Sequence, residues 1–242
     1  MSRRTPACIS LILILAACQP LAGNNAATVT ATVPPSRSPT PVLIASPTET
    51  LLPAPRAFTE NFDGIFPYWE FVQVDNGQLA ASPRAQEGYL WFELSGPNQW
   101  TYGLYGAQNY VDVRIDARLE FVAGAQGAAG VVCRYGAHTG WYEFNIYPDQ
   151  TYDLLFGQWL TQGVARYIPL VRDESEKIQP GTNEIGLSCQ GDTLTPFING
   201  TQLRRRQEKT FALANGKVGI SAASFDSVPL TISYDWVRVG EP

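Results

Sequence analysis

Apolar and polar residues alternate with a period of two along most of the chain from Phe58 to the C-terminus. Such alternation places successive side chains on opposite faces of a β-strand. No segment in this region keeps an apolar period of 3.6 residues over about twelve residues, the length of an ordinary helix. The region is therefore predicted to be all-β. The clearest runs are "GYLWFEL", "NYVDVRIDARLEFV", "GVVCRYG", "WYEFNIYP", "NEIGLSCQ", "KVGISAAS" and "LTISYDWVRV".

Turn-forming residues separate these runs. Asp75-Asn76-Gly77, Pro180-Gly181, Asn199-Gly200 and Asn215-Gly216 supply residues that accept the backbone angles of tight hairpins. About eleven to thirteen short strands joined by hairpins, without crossover helices, predict an antiparallel two-sheet sandwich or barrel. Residues 58–242 are enough for one domain with a substantial core.

The first residues predict an exported and anchored protein. Arg3 and Arg4 precede an apolar run, residues 9–15, that is too short to span a bilayer as a helix. The sequence "LAAC", ending at Cys18, has the form of a lipobox. Residues 1–17 are therefore interpreted as a lipoprotein signal peptide, and Cys18 as the lipidated N-terminus of the mature chain. An ordinary secretory peptide with a chance cysteine is the alternative, and it also implies export.

Residues 18–57 are interpreted as a linker. Eight prolines lie between Gln19 and Ala57, together with many serines and threonines and no aromatic residue. Such a segment cannot bury enough apolar surface to offset the entropy of an ordered chain. We therefore expect an extended tether that displays the domain outside the cytoplasm, exposed on the surface and lipid-anchored to the bacterial cell membrane.

The domain is acidic. Of 17 Lys and Arg, four precede residue 58 and 13 remain; of 22 Asp and Glu, one precedes it and 21 remain, so the net charge is 13 − 21 = −8. This balance disfavours nucleic acid and anionic membrane surfaces as partners. The basic sequence "LRRRQEK", residues 203–209, is interpreted as a solvated hairpin arm and not as a polyanion site. The sequence predicts no oligomeric state.

Two of the four cysteines are expected to pair. Cys8 would leave with the signal peptide and Cys18 would carry the lipid, so Cys133 and Cys189 remain. Because the exported compartment is oxidising and both residues lie in strand patterns, we predict a disulfide between them. Two buried free thiols or a metal-binding pair are the alternatives. A metal is disfavoured because His138 is the single histidine and no Cys-x-x-Cys spacing occurs.

Several segments together resemble a known family. The segments, in order, are "ENFDG…PYWEF", "GVVCRYG…GWYEFNIYPDQTYDL", "NEIGLSCQGDTLTPFINGTQL", "GKVGISA" and "YDWVRV". They resemble the concanavalin A-like jelly-roll domains of bacterial surface lipoproteins, and they are similar to laminin G-like and 3-keto-disaccharide hydrolase-like domains. The resemblance covers nearly all of residues 58–242. It implies two curved antiparallel sheets, a last strand that pairs beside the first, and a concave face that holds saccharides in relatives. The resemblance also implies a structural calcium ion near the chain ends, with Asp63 and Asp235 as candidate ligands; no other cofactor is expected.

Strand alternation then assigns candidate binding residues. The residues expected in the core are Leu90, Phe92, Leu94, Tyr142, Phe144 and Ile146, and Arg134 falls on the face opposite Cys133. Outward aromatic rings stack on sugars, and charged groups bind hydroxyls. The candidate ligand-binding residues, expected on one concave sheet, are Trp91, Glu93, Arg134, Trp141, Glu143, Asn145 and Tyr147. In the alternative interpretation this face only supports the fold, through aromatic pairs and a Glu–Arg ion pair.

The sequence favours binding over catalysis. The strand motif Glu-x-Asp-x-x-Glu, in which family 16 glycoside hydrolases resemble one another, is absent, because "YEFNIYPD" has a single Glu. Glu93 and Glu143 are the candidates for a carboxylate pair, and a Ser-His-Asp arrangement would have to use His138. We therefore predict a cell-surface lipoprotein that displays a non-catalytic binding module for saccharide or another surface polymer. The alternatives are a glycan-active hydrolase or lyase that uses a carboxylate pair, and a purely structural envelope protein.

Overall fold

The computed structural model describes residues 53–74, 82–124 and 126–242, which form sixteen β-strands and no α-helix. No helix of this part of the chain is long and apolar enough to cross a membrane. The predicted signal peptide, the lipidated Cys18, nearly all of the linker and the turn at residues 75–77 lie outside the described residues. The strands, numbered in chain order, are β1 Phe58–Glu60, β2 Trp69–Val74, β3 Arg84–Gln86, β4 Tyr89–Leu94, β5 Trp100–Tyr110, β6 Val113–Ala123, β7 Gly127–Gly136, β8 Gly140–Ile146, β9 Thr151–Thr161, β10 Val164–Glu174, β11 Thr182–Gln190, β12 Thr193–Ile198, β13 Thr201–Gln202, β14 Arg206–Gln207, β15 Gly216–Ser224 and β16 Leu230–Gly240.

These strands form two antiparallel sheets, which confirms the predicted sandwich. The order of the nine-stranded sheet is β13-β12-β11-β6-β16-β4-β3, with β1 beside β16 and β14 beside β12. The order of the seven-stranded sheet is β10-β9-β8-β7-β15-β5-β2. The described residues hold more strands than expected because β1, β3, β13 and β14 have only two or three residues, too few to show a period.

The last strand pairs beside the first, as the resemblance implied. Phe58 of β1 lies opposite Val239 of β16. Along the rest of its length β16 lies between β4 and β6, in the middle of the nine-stranded sheet. In the same way β15 lies between β7 and β5, inside the seven-stranded sheet.

The inner faces of the two sheets form the main core, and alternation predicted its members correctly. The predicted inward residues of β4 and β8 are all buried within it: Leu90, Phe92, Leu94, Tyr142, Phe144 and Ile146. Burying a side chain of this size stabilises a fold by about 1.5–3 kcal/mol. The inner face is therefore the main source of stability, and the opposite, outer face of each sheet is the part that remains for other interactions.

Two Asn-Gly sequences have different roles. Asn199 and Gly200 have φ values of +47° and +76° and connect β12 to β13, as predicted for a tight hairpin. Gly216 does not form such a turn, because it begins β15. A Cβ at this position would lie 2.4 Å from the carbonyl carbon of Arg134. Here glycine permits a close approach of two backbones.

Cys133 and Cys189 form a disulfide, which confirms the predicted pairing. Their Cα atoms are 6.7 Å apart and the residues are separated by 56 positions in the sequence. Cys133 lies on β7 and Cys189 on β11, so the bond joins the seven-stranded sheet to the nine-stranded sheet through the core.

Candidate functional site

The predicted binding residues do not share one face, and this part of the prediction is wrong. Trp91 and Glu93 lie on β4 of the nine-stranded sheet, whereas Trp141 and Glu143 lie on β8 of the seven-stranded sheet. Both pairs point away from the main core, and therefore toward opposite sides of the sandwich. Glu93 and Glu143 consequently cannot act as one carboxylate pair.

On the nine-stranded sheet, Trp91 and Glu93 belong to a small surface network. Arg84 of β3 forms an ion pair with Glu93 at 3.0 Å, and the hydrogen bond from Arg84, followed by its charge, lowers the pKa of Glu93. The indole of Trp91 donates to the carbonyl of Gln86 at 3.3 Å. These contacts hold the edge strand β3 against β4, as expected for cross-strand pairs.

Arg134 does not join the predicted face either. Its φ is +53°, and the register between β7 and β8 shifts after Cys133, so strict alternation ends there. The side chain is 3% exposed. Its guanidinium donates to the backbone carbonyls of Val111 at 3.0 Å and Leu213 at 2.8 Å. Arg134 therefore ties two loops to the end of the sandwich and does not pair with Glu143.

Trp141 points away from the main core as predicted, but the expectation that it is exposed is wrong. Its exposure is 0%, because a second apolar cluster covers the outer face of the seven-stranded sheet. We call this group the outer cluster; its buried members are Val74, Tyr102, Leu104, Val132, Tyr135 and Trp141. Ring centroids of Trp159 and Tyr102 lie 5.0 Å and 5.3 Å from that of Trp141. Gly157 leaves room for the indole, since a Cβ there would lie 2.2 Å from it.

Glu143 is a fully buried carboxylate beside the outer cluster. Its Oε2 accepts hydrogen bonds from the hydroxyl of Tyr102 and the indole of Trp141, both at 2.9 Å. Its Oε1 accepts from Ser221 at 2.6 Å and from the indole of Trp100 at 3.4 Å. Burial raises the pKa of Glu143, and these hydrogen bonds oppose the rise. A carboxylate with four donors and 0% exposure is positioned to hold aromatic side chains in place.

A cleft of about 400 Å³ opens on this outer face, and we call it the aromatic cleft. Its principal lining residues are Trp100, Tyr147, Asp153, Tyr167, Arg172 and Phe225. Trp100 and Tyr167 stack with centroids 4.0 Å apart and planes at 20°. Tyr147 and Phe225 form a second near-parallel pair, 6.0 Å apart at 19°. All four rings are half-buried, so part of each ring surface remains open to solvent.

Asp153 is the buried acid of the aromatic cleft. The hydroxyl of Tyr147 donates to its Oδ2, and the amide of Asn145 donates to its Oδ1 at 3.4 Å. Burial raises the pKa of Asp153 to about 6; the charge of Glu143 adds to the rise, and both hydrogen bonds and the charge of Arg172 oppose it. Of the predicted binding residues, the structure thus places Tyr147 and Asn145 at this acid, with Tyr147 in the cleft wall and Asn145 buried behind it.

The raised pKa of Asp153 predicts a pH-dependent stability. The folded chain retains this proton up to about pH 6, whereas the unfolded carboxyl loses it near 3.8. The resulting stability is present below the unfolded pKa and is lost as pH rises through the folded pKa, by about 3 kcal/mol in total. Urea unfolding of the wild type and of Asp153→Asn between about pH 4 and 7 measures this, and their difference should change by that amount. A difference that is independent of pH would contradict the assigned pKa.

The candidate calcium ligands and His138 lie outside the aromatic cleft. Asp235 contacts Arg118 at 3.7 Å, and Asp63 is exposed. Within residues 53–74, 82–124 and 126–242, no group of three or more His, Cys, Asp or Glu could hold a metal ion. His138 is exposed in the turn between β7 and β8.

Sequence reasoning missed most of the cleft. Trp100 begins β5 and shares a strand face with Tyr102, so the run "WTY" carried a usable signal. Tyr167 and Arg172 of β10, Asp153 of β9 and Phe225 after β15 carried none, because they are single side chains spread over two strands and a loop. Only strand order brings them together.

Comparison with known proteins defines the fold. No protein-family model matches the sequence, and no curated protein matches it. Among solved structures, one similar fold is a protein of unknown function with a galectin-like fold from Bacillus subtilis, with TM-score 0.58, 9% identity, and coverage of 76% of this chain and 94% of that one. Another is a family 16 glycoside hydrolase from Bacteroides ovatus, in complex with a G4G4G3G product, with TM-score 0.55, 9% identity, and coverage of 76% and 99%.

A third similar structure is the CBM2 module of evolved Dit from Lactobacillus casei BL23 phage J-1, with TM-score 0.51, 11% identity, and coverage of 75% and 93%. At such identities these similarities establish the fold alone. They confirm the predicted concanavalin A-like jelly-roll sandwich.

Proposed function

We propose that this domain is a non-catalytic saccharide-binding module and that the aromatic cleft is its binding site. The observation that carries the proposal is the pair of stacked rings, Trp100 on Tyr167, at the wall of an open cleft. Ring faces bind the apolar faces of sugars, and Asp153 and Arg172 beside them provide hydrogen bonds to hydroxyls. Packing and a hydrogen bond to Glu143 hold the rings in place, so binding costs little side-chain conformational entropy.

The burial of Glu143 favours binding over hydrolysis. A glycosidase needs a carboxylate that reaches the anomeric carbon or an attacking water. Glu143 has four hydrogen-bond donors and no exposed surface. The similar structures named a CBM2 module and a family 16 glycoside hydrolase support the proposal only in part, since this fold serves both kinds of protein.

Trp100→Ala should weaken saccharide binding by roughly 10- to 100-fold, the usual cost of truncating an aromatic hot spot. Phe225→Ala, on the second ring pair, should act in the same direction. Binding is measured for the full-length chain in detergent, first on a glycan array and then by calorimetry with a polymer that the array identifies. Trp91→Ala is the matched control, because this half-buried indole lies on the other sheet.

Two results would overturn the proposal. One is the absence of binding to every glycan on the array. The other is binding by Trp100→Ala and Phe225→Ala that equals wild type while both variants remain folded by circular dichroism.

A glycan hydrolase is the second candidate, and the raised pKa of Asp153 favours it, because a general acid must keep its proton near neutral pH. The residue to test is then Asp153, which lines the cleft, and not the pair of Glu93 and Glu143. If the chain is such an enzyme, it should release reducing ends from mixed-linkage β-glucan, and Asp153→Asn should abolish the release. No release by the wild type would eliminate this candidate for that polymer.

We also propose that the chain is a lipoprotein anchored through Cys18, because "LAAC" has the lipobox form. Expressed in a bacterium, the wild type should partition into the detergent phase of a membrane extract, and Cys18→Ala should remain in the aqueous phase. Detergent partitioning of Cys18→Ala equal to wild type would contradict the anchor.

A further inference from the structure

The aromatic cleft has a basic neighbour. A second cavity of about 530 Å³, the arginine groove, is lined by Arg172, Arg204, Arg205 and Arg206. Arg172 lies on β10, the edge strand of the seven-stranded sheet, whereas residues 204–206 follow β13 of the nine-stranded sheet. Arg172 also lines the aromatic cleft, so the two cavities share a wall.

Within the described residues, three of the four arginines have no carboxylate partner, whereas Arg172 lies opposite Asp153 and its charge favours the ionised forms of Asp149 and Asp153. No Asp or Glu lines it. Among the ion pairs within 4.0 Å in that part of the chain, none includes any of these four arginines. All four side chains are exposed. In a domain with a net charge of 13 − 21 = −8, this concentrates four of thirteen cations in one cavity. Gathering like charges is unfavourable unless an anion is bound there.

The two cavities differ in polarity. Asp149 and Asp153 line the aromatic cleft, on one side of Arg172, and both can accept hydrogen bonds from sugar hydroxyls. The arginine groove, on the other side, offers only cationic and apolar side chains and the amide of Gln207. A single ligand that occupies both cavities would therefore contact aromatic rings and carboxylates on one side of Arg172 and guanidinium groups on the other.

We propose that the saccharide bound by this domain is acidic, with its sugar ring in the aromatic cleft and its carboxylate or sulfate groups in the arginine groove. The proposal rests on the saccharide-binding function and names the class of saccharide. Guanidinium groups bind carboxylate and sulfate through paired hydrogen bonds, which lysine cannot reproduce. This revises the interpretation of residues 203–209 as a merely solvated arm, because Arg172 comes from another sheet to complete the groove.

The test compares polymers that differ only in charge, with the full-length chain in detergent. Polygalacturonate is paired with its fully methyl-esterified form, and dextran sulfate with dextran; the two pairs distinguish carboxylate from sulfate. In low salt, at least one acidic polymer should bind about tenfold or more tightly than its neutral partner, and added salt should reduce this advantage. Equal affinity for charged and neutral members of both pairs would overturn the inference and leave saccharide binding intact.

Substitution of the arginines tests whether the preference for acidic polymers arises in the arginine groove. The triple change Arg204→Gln, Arg205→Gln and Arg206→Gln should abolish the preference for the acidic polymer while residual binding to the neutral polymer persists. The triple change Arg84→Gln, Arg118→Gln and Arg166→Gln alters net charge equally at exposed sites outside the groove, and it should keep the preference. Equal loss in both triple variants would assign the effect to overall charge and overturn the inference.

Trp100→Ala separates the two proposals. It should weaken binding of both polymers of a pair, because the ring surface is common to them. If the acidic polymer binds Trp100→Ala as tightly as wild type, and only the groove variant loses it, saccharide recognition by the cleft is wrong. Equal binding of a single-stranded polynucleotide would likewise overturn the inference, because the groove would then recognise any polyanion.

Discussion

Trp141→Ala should lower the free energy of unfolding by about 3–5 kcal/mol, the usual cost of removing a buried tryptophan. The indole is fully buried in the outer cluster, in contact with the rings of Tyr102 and Trp159. Its Nε1 also donates to the buried Glu143 at 2.9 Å. Truncation therefore leaves both a cavity and a carboxylate with one donor fewer.

Urea unfolding at neutral pH measures this effect. Trp91→Ala is the matched control and should cost about 1 kcal/mol or less, since its half-buried indole packs on the surface of the other sheet. Trp141→Phe should recover part of the loss, because it restores a ring without restoring the hydrogen bond. If Trp141→Ala cost no more than Trp91→Ala, the outer cluster would not be a stabilising core.

Removing the disulfide should cost about 4 kcal/mol, the chain-entropy value for a bond that joins residues 56 positions apart. For a domain of this size, such a loss lowers the melting temperature by roughly 8–16 °C. Thermal unfolding of the oxidised chain, with and without a reductant, provides the measurement. Cys133→Ala with Cys189→Ala should melt near the reduced wild type and should not respond to reductant.

Mass spectrometry without reduction provides the control for this prediction. The peptides that contain Cys133 and Cys189 should be recovered as a linked pair. Recovery of both as alkylated free thiols would show that the bond does not form in the protein.

Alternation predicted which way side chains point, and it could predict no more than that. It assigned Tyr142 and Phe144 to the main core, and Trp141 and Glu143 to the opposite face, as the structure has them. An alternating pattern carries no information about which strands are neighbours, so it could not show that Trp91 lies on the other sheet. Strand pairing between residues far apart in sequence depends on the whole fold.

The prediction that Trp141 is exposed to solvent was wrong for a related reason. Whether Trp141 meets solvent depends on Tyr102, Tyr135 and Trp159, which come from three other strands. The outer face of a sheet is wet in many antiparallel sandwiches, and aromatic residues there suggested a ligand surface. Here they cover one another, and the open rings belong to Trp100 and Tyr167 at the border of the outer cluster.

The position of β15 and β16 has a consequence for how the chain comes to be folded. Each is an interior strand of its sheet, yet both follow their neighbours β4, β5, β6 and β7 in the chain. Until Leu230–Gly240 arrives, β4 and β6 have no shared neighbour, and until Gly216–Ser224 arrives, β5 and β7 have none. Neither sheet can close before residues 216–240 have been made, and pairings this distant in sequence form slowly. A chain that lacks residues 216–240 therefore exposes four unpaired strand edges, one on each of β4, β5, β6 and β7.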